Sequence, residues 1–408
     1  SLARIVAMVE EAATSRSPVQ RFVDSFARWY TPLVIGLALV IAVLPPLLLG
    51  QAWQAWLYRG LTLLVVACPC ALVISTPVSM VSALGNAARR GVLIKNGAAL
   101  ERAAKTSIIA MDKTGTLTRG EPRLVAIRPA QGHSEAEILR LAASVEQGSS
   151  HPLAAAITAA AREYQLKPAV GMEHKTLPGH GAMATVDGVD TYAVSPDYAH
   201  RELGLTPRLD ESGRTQVILA RQRRELAQLE FQDTLRPGVR NTVGQLRKMG
   251  ADPVMLTGDN YGVAAEIAAA AGIDAFYAHL LPEDKLSKIN LLRSRGVTMM
   301  VGDGINDAPA LAAASVGVAM GAVGSDAALE AADIALMADD LSQLPFVLRL
   351  SRQALGAIRF NIWFAIAIKL LAVILVFPGW LTLWLAILAD TGAAVLVTLN
   401  GMRLLRAK

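Results

Sequence analysis

Four long apolar stretches, two before and two after a charged middle, dictate most of what this 408-residue chain can become. They cover residues 31–50, 57–84, 361–377 and 380–400, against the about 20 residues that cross a bilayer. Inside hydrocarbon a backbone must satisfy its own amides and carbonyls, so stretches of this kind fold as helices. Hydrophobic residues make up 53% of the chain and charged residues 18%, yet the charges crowd into the middle. That segregation predicts a membrane protein with a large water-soluble part. No signal peptide is visible at the start, which opens at Ser1 in a helical, Glu- and Ala-rich pattern, so the chain reads as a piece of something longer.

Basic residues at the span ends set the orientation. Arg16, Arg21 and Arg28 precede the first span, while Arg89, Arg90, Lys95, Arg102 and Lys105 follow the second. Arg403, Arg406 and Lys408 close the chain, and the link between the first two spans offers only Arg59. The termini and the central region are therefore expected on the cytoplasmic side. This collar explains much of the net charge of +5 as a lipid-facing feature, so no nucleic-acid partner is required.

The only two cysteines, Cys68 and Cys70, flank Pro69 inside the second span. On a regular helix, side chains two apart point about 200° away from each other and could not share an ion. Pro69 lacks an N–H and clashes with the preceding turn, so it is expected to break the helix and let both sulfurs converge. The tripeptide alone fits either two small hydrophobes packed at a kink or a soft-metal site. Lys369 in the third span and Asp390 in the fourth are the other anomalies, because a bare charge at mid-bilayer costs about 2.5–3.5 kcal/mol. They read as a structural ion pair, as snorkelling side chains or as ligands. Asp390 lies too deep for an interface, and the following Thr391-Gly392 permits close helix approach.

Residues 91–350 alternate strand-like runs with Ala-rich helical ones. Runs at 107–111, 254–256 and 297–301 each end at a polar, Gly-containing turn. In open α/β sheets functional groups gather at the carboxyl ends of strands, so the three turns are expected at one edge. Residues 119–229, rich in Gly, Pro, His and charge, interrupt the pattern as an inserted domain.

The three turns read Asp112-Lys113-Thr114-Gly115-Thr116-Leu117-Thr118, Thr257-Gly258-Asp259, and Gly302-Asp303-Gly304-Ile305-Asn306-Asp307-Ala308-Pro309. In this order, each after a strand, they resemble the phosphorylation domain of P-type ATPases, a haloacid dehalogenase-type fold. The resemblance covers essentially every residue. It implies a membrane α-helical bundle plus a cytoplasmic α/β part, in which a haloacid dehalogenase-like phosphorylation domain carries an inserted α+β nucleotide-binding domain. The implied division is a link from an actuator domain (1–30), two transmembrane helices with Cys-Pro-Cys (31–90), the phosphorylation domain (91–118 and 230–350), the nucleotide-binding domain (119–229) and two more transmembrane helices (351–408).

Phosphoryl transfer between an anionic carboxylate and an anionic phosphate needs charge cancellation and in-line positioning more than proton transfer. By the resemblance, Asp112 is the nucleophile, and Asp303 holds Mg²⁺ with Asp112 and the Thr114 carbonyl. Asp307 supports that site, Lys285 neutralises the phosphoryl oxygens, and Thr257, Gly258 and Asn306 hydrogen-bond them. Without the family order, Lys285 would read as a surface lysine at a helix start. Thr114 stands where soluble phosphatases of this fold carry a second aspartate, so the phosphoenzyme is expected to persist. In the insert, Glu146, Ser150-His151-Pro152 and Gly179-His180-Gly181 resemble the ATP-binding residues of the heavy-metal branch. Glycines admit a ligand close to the backbone. Of the six histidines, His151 is the expected nucleotide contact, through stacking or hydrogen bonding to a purine, and Glu146 can accept from an adenine amino group.

Two thiolates and a carboxylate, offset by Lys369, leave two negative charges, which one divalent cation neutralises. Sulfur selects softer ions such as Zn²⁺, Cd²⁺ or Pb²⁺ over Mg²⁺ or Ca²⁺, and the carboxylate tilts against Cu⁺. Cys-Pro-Cys, an intramembrane Lys and Asp-Thr-Gly resemble the zinc/cadmium/lead-exporting ATPases of bacterial plasma membranes. Lys369 is then expected as a built-in counter-ion to Asp390. No Thr-Gly-Glu occurs, the mark of the family's actuator domain, so that partner is expected from the rest of the same polypeptide. Three other readings compete: a copper- or cobalt-specific member of the family, a membrane-tethered phosphatase of the same fold, and a passive metal-binding membrane module.

Overall fold

A computed structural model describes residues 18–149, 151–207, 214–303, 307–321, 330–376 and 378–407. Three apolar helices come first, α1 (Pro18–Leu49), α2 (Trp53–Ala67) and α3 (Cys70–Arg89). Strand β1 (Val92–Ile94), helix α4 (Gly97–Ala104) and strand β2 (Ile108–Asp112) lead into a tight turn over Lys113–Leu117. There follow β3 (Thr118–Pro129), α5 (Glu135–Val145), α6 (Pro152–Glu163), β4 (Gly171–Leu177), β5 (Gly181–Val186), β6 (Val189–Val194), α7 (Pro196–Arg201), β7 (Thr215–Arg221) and β8 (Arg224–Leu235). The chain continues through α8 (Val239–Lys248), β9 (Asp252–Leu256), α9 (Tyr261–Ala271), β10 (Ala275–Tyr277), α10 (Pro282–Arg295), β11 (Thr298–Gly302), α11 (Ala308–Ala313), β12 (Val316–Met320) and β13 (Ile334–Leu336). Two long helices, α12 (Gln343–Val376) and α13 (Leu383–Met402), and a 3₁₀ turn over Arg403–Arg406 end it. Two compact units result, one of residues 1–110, 245–252 and 286–408, the other of 111–244 and 253–285.

Among the described residues of the first unit, four helical segments are long and apolar enough to cross a membrane: α1, α2 with α3, α12, and α13 with the closing turn. The second is broken where Pro69 predicts. Cys68 leaves helical geometry with φ −57° and ψ 123°, Pro69 caps the new helix, and the Val73 amide donates to the Pro69 carbonyl at 3.1 Å. Small residues set how closely these helices pack. A Cβ on Gly60 would come within 2.9 Å of the Ala38 carbonyl oxygen, and one on Gly401 within 2.8 Å of Ser79 Oγ. Gly392 plays no such part, contrary to the expectation for Thr391-Gly392, since nothing lies within 4 Å of a Cβ built there. A helix turns about 100° per residue, and it is Ala393 that faces inward, packing with Ala71, Ala365 and Val397.

Helix α12 starts well before its apolar span, and its first half is buried through Leu344, Phe346, Val347, Leu348 and Leu350. Arg352 on this stretch donates to the carbonyls of Ala104, Met249 and Thr106 at 3.3, 2.5 and 3.3 Å. The helix that becomes the third span is thereby tied to the segment that feeds β2.

Seven strands form a sheet in the order β1-β13-β12-β11-β2-β9-β10. Strands β11 and β12 are buried along their whole length and pair in parallel, as expected of an α/β sheet covered on both faces. Strands β11, β2 and β9 are consecutive in this order. The second unit holds a six-stranded antiparallel sheet, β3-β8-β7-β6-β5-β4. Its core joins Ile138, Leu139 and Leu141 of α5 and Ile157 of α6 to Leu219, Leu229 and Phe231 of the sheet.

Candidate functional site

Asp112 is the last residue of β2, its side chain only 8% exposed. Lys285, in the first turn of α10, reaches it with Nζ–Oδ1 at 2.5 Å. A second pair lies beside the first, Lys113 Nζ to Asp259 Oδ2 at 2.7 Å. Thr257 Oγ1 donates to the same Asp259 oxygen at 2.8 Å and accepts the Asp259 amide at 3.1 Å. Gly258 is confined by the Leu280 carbonyl, 3.3 Å from where a Cβ would sit. The sequence-predicted Asp112 and Lys285 are therefore in contact, and Thr257 anchors a neighbouring ion pair. Thr114 is exposed in the turn that Gly115 closes with φ +72°.

Two residues bracing that turn escaped the sequence reading. Asp233 accepts from Thr118 Oγ1 at 2.5 Å and from the Gly120 amide at 3.1 Å. Arg236 donates to the Gly115 carbonyl at 2.9 Å and the Thr118 carbonyl at 3.2 Å. The available signal was an Asp and an Arg three apart just where β8 ends, which return the chain to the turn after Asp112.

Elsewhere in the second unit, Glu146 caps the C-terminus of α5 and His151 the N-terminus of α6, where its Nδ1 accepts the Leu153 amide at 3.3 Å. Glu146 is buried and His151 exposed. Burial pushes the Glu146 carboxyl above the usual range, and a hydrogen bond from Ser149 and the nearby His151 imidazole pull it back by less. Gly179 and Gly181 sit at the β4–β5 turn with φ +77° and +132°, and a Cβ on Gly181 would strike the Ala193 carbonyl oxygen at 2.1 Å. The His180 and Tyr198 rings pack tilted by 40°, their centroids 5.3 Å apart. Ser150 lies outside the described residues.

In the first unit, Asp303 follows β11 and is half-buried, and Asp307 precedes α11 with 1% exposure. Only glycine fits at 302, where a Cβ would lie 2.7 Å from Asp307 Oδ2. Asn306 lies outside the described residues.

Within the spans Lys369 is 13% exposed and Asp390 19%. Lys369 Nζ donates to Asp390 Oδ1 at 2.9 Å, to the Val66 carbonyl at 3.0 Å and to the Cys68 carbonyl. One ammonium therefore links Asp390 to the broken end of α2. Cys68 and Cys70 converge, but as a disulfide with Cα atoms 5.5 Å apart, where the sequence led us to expect two thiolates. Among the described residues no three His, Cys, Asp or Glu side chains are grouped as a metal cluster. Sulfurs bonded to each other carry no thiolate charge, and Lys369 fills the place beside Asp390, so the predicted ligand set requires the reduced cysteines.

Comparison with known proteins agrees with this architecture. Residues 106–315 match the family model of haloacid dehalogenase-like hydrolases. The chain is 45% identical over its full length to a probable cadmium-transporting ATPase of Staphylococcus aureus (strain MRSA252), of which it covers 58%. It is 47% identical over 99% of its length to the zinc/cadmium/lead-transporting P-type ATPase of Escherichia coli (strain K12), of which it covers 55%. The chain thus spans little more than half the length of these relatives. A crystal structure of a zinc-transporting PIB-type ATPase in its E2.Pi state superposes with a TM-score of 0.84 at 45% identity, covering 99% of this chain and 67% of that one. On these matches the chain belongs to the haloacid dehalogenase-like hydrolases and, among them, to the PIB-type branch of the P-type ATPases.

Proposed function

We propose that this chain is the catalytic and ion-binding part of an ATP-driven exporter of soft divalent cations, Zn²⁺, Cd²⁺ or Pb²⁺. Asp112 takes the phosphoryl group of ATP, and Lys285 balances the oxygens that arrive with it. Thr257, Gly258 and Asn306 hydrogen-bond those oxygens. Glu146, His151, Gly179 and Gly181 hold the nucleotide. Asp112, Asp303 and Asp307 would offer carboxylates and Thr114 its carbonyl, all oxygen donors, which is the chemistry Mg²⁺ prefers. Bound there, Mg²⁺ would neutralise charge on the transferring phosphoryl group. The transported ion is taken by Cys68 and Cys70 as thiolates together with Asp390, and Lys369 re-pairs with Asp390 on release.

The observation that carries this reading is the Lys369–Asp390 contact inside apolar spans of a chain that also pairs Asp112 with a lysine. A soluble-type phosphatase has no use for the first pair, and a passive metal binder has none for the second. The test is ATP hydrolysis by the full-length polypeptide in liposomes across a panel of metal ions. Zn²⁺, Cd²⁺ and Pb²⁺ should each stimulate it and produce acid-stable labelling from ATP that Asp112→Asn abolishes. Stimulation by Cu⁺ or Co²⁺ alone would overturn the ion assignment, and label surviving in Asp112→Asn would overturn the nucleophile.

A further inference from the structure

Where α12 and α13 emerge from their apolar spans, a cleft of about 620 Å³ is lined by Gln353, Gly356, Phe360, Asn400, Arg403 and Arg406. It lies on the side that the basic collar marks as cytoplasmic, and it takes no part in the chemistry above. Its cationic wall is built rather than draped. The 3₁₀ turn over Arg403–Arg406 is tied from behind by buried Asn86, whose Nδ2 donates to the carbonyls of Leu404 at 2.8 Å and Ala407 at 2.9 Å. Arg89 and Arg90 add bonds to the carbonyls of Leu405 at 2.5 Å and Ala407 at 3.1 Å. Arg403 is steadied in turn, donating to Asn400 Oδ1 at 3.1 Å, and Asn400 donates to buried Asn361 at 2.8 Å.

Among the described residues no carboxylate pairs with the cleft's arginines. From residue 343 to the end of the chain the only carboxylate side chain is Asp390, which Lys369 occupies. Neither Arg403 nor Arg406 makes an ion pair among the described residues. The flank toward the bilayer is apolar and open, with Phe360 61% and Trp363 71% exposed, and with Leu396, Leu399 and Met402 exposed on α13. A ligand that fits must be anionic at one end and hydrocarbon at the other, and must be met at the membrane surface.

We propose that this cleft binds the phosphate headgroup of an anionic phospholipid of the cytoplasmic leaflet, with Arg403 and Arg406 on the phosphate and the acyl chains along Phe360 and Trp363. Paired guanidinium donors suit a phosphodiester, and basic pockets between transmembrane helices are suited to such headgroups. An ordered lipid there would brace the junction between the last two spans.

Native mass spectrometry of the full-length polypeptide in detergent, offered phosphatidylglycerol and phosphatidylcholine together, tests the proposal. Phosphatidylglycerol should be retained about 30-fold more strongly, from about 1 kcal/mol for each arginine at the surface. The preference should collapse in the Arg403→Gln/Arg406→Gln variant and return in Arg403→Lys/Arg406→Lys, with thermal unfolding unchanged in both. Removing the same number of charges by Arg21→Gln/Arg28→Gln, on α1, should leave it intact. An equal loss in that control would reduce the effect to collar electrostatics and overturn the site. Loss of the preference in excess inorganic phosphate would identify free phosphate as the ligand and overturn the lipid.

Discussion

The sharpest perturbation is removal of the Lys369 ammonium by Lys369→Met, which keeps the length of the side chain and deletes its charge. At 2.9 Å and an effective dielectric near 20, the attraction between Lys369 and Asp390 is about 6 kcal/mol. Taking each ion out of water costs several kcal/mol, so the intact pair contributes little net stability. Breaking it is different, because Asp390 is then left as a lone buried carboxylate and the Val66 and Cys68 carbonyls lose their donor. Each of Lys369→Met and Asp390→Leu should destabilise the spans by about 3–5 kcal/mol, and the double variant by far less than the sum. Equilibrium unfolding in detergent, with the cysteines kept reduced, measures all three. A counter-ion role adds a second signature that a structural pair lacks. Under the same reducing conditions, Lys369→Met should bind Zn²⁺ as tightly as the parent while metal-stimulated turnover falls, and Asp390→Leu should lose binding. Additive single effects, or normal turnover by Lys369→Met, would refute the reasoning.

Three further outcomes follow from the cytoplasmic side. Glu146→Gln should weaken ATP binding about tenfold, the worth of one hydrogen bond to a charged group, in a nucleotide titration. Since burial raises the Glu146 carboxyl in the folded chain, its penalty appears as pH rises from the ordinary carboxylate value and is complete above the raised one. The variant should therefore be more stable than the parent at neutral pH and indistinguishable in acid, by thermal unfolding. Asp233→Ala should slow phosphorylation of Asp112 about tenfold with nucleotide affinity unchanged, because it loosens the turn that follows Asp112. Arg352→Ala should cost about 2–3 kcal/mol in unfolding experiments, as three backbone carbonyls lose a charged donor at a half-buried site.

What was legible in the sequence was whatever depends on local chemistry. Apolar length locates the spans, and Pro69 marks the break, although Pro32, Pro45, Pro46 and Pro77 lie inside helices that continue through them. The strand ends before Asp112 and Thr257 are readable because polar Gly-containing turns stop apolar runs abruptly. Apart from the bond between Cys68 and Cys70, the misses lie in contacts between distant segments. Helix α12 begins at Gln343, well ahead of its hydropathy signal, because Arg349, Arg352 and Arg359 mask a stretch that is buried against α4. Asp233 and Arg236 look like ordinary turn residues until β8 delivers them to the turn after Asp112. Gly392 looked like a packing glycine because small residues reveal that a helix can approach, but not which face does so. The link from Lys369 to Cys68 joins positions 301 residues apart, and no sequence periodicity encodes it.

The two lysine–carboxylate pairs, at 2.5 and 2.9 Å, look alike and should behave in opposite ways. In the proposed function Asp112 receives an anion, so phosphoryl transfer from ATP increases the negative charge that Lys285 faces. In the same reading Asp390 receives a cation, so the step that binds the metal makes Lys369 superfluous, and it must withdraw before the ion can settle. Lys285→Met should accordingly abolish phosphoenzyme formation, while Lys369→Met should permit phosphorylation and stall the return. A common phenotype in the two variants would mean that both pairs only hold the fold, and the division of labour derived from their charges would be wrong.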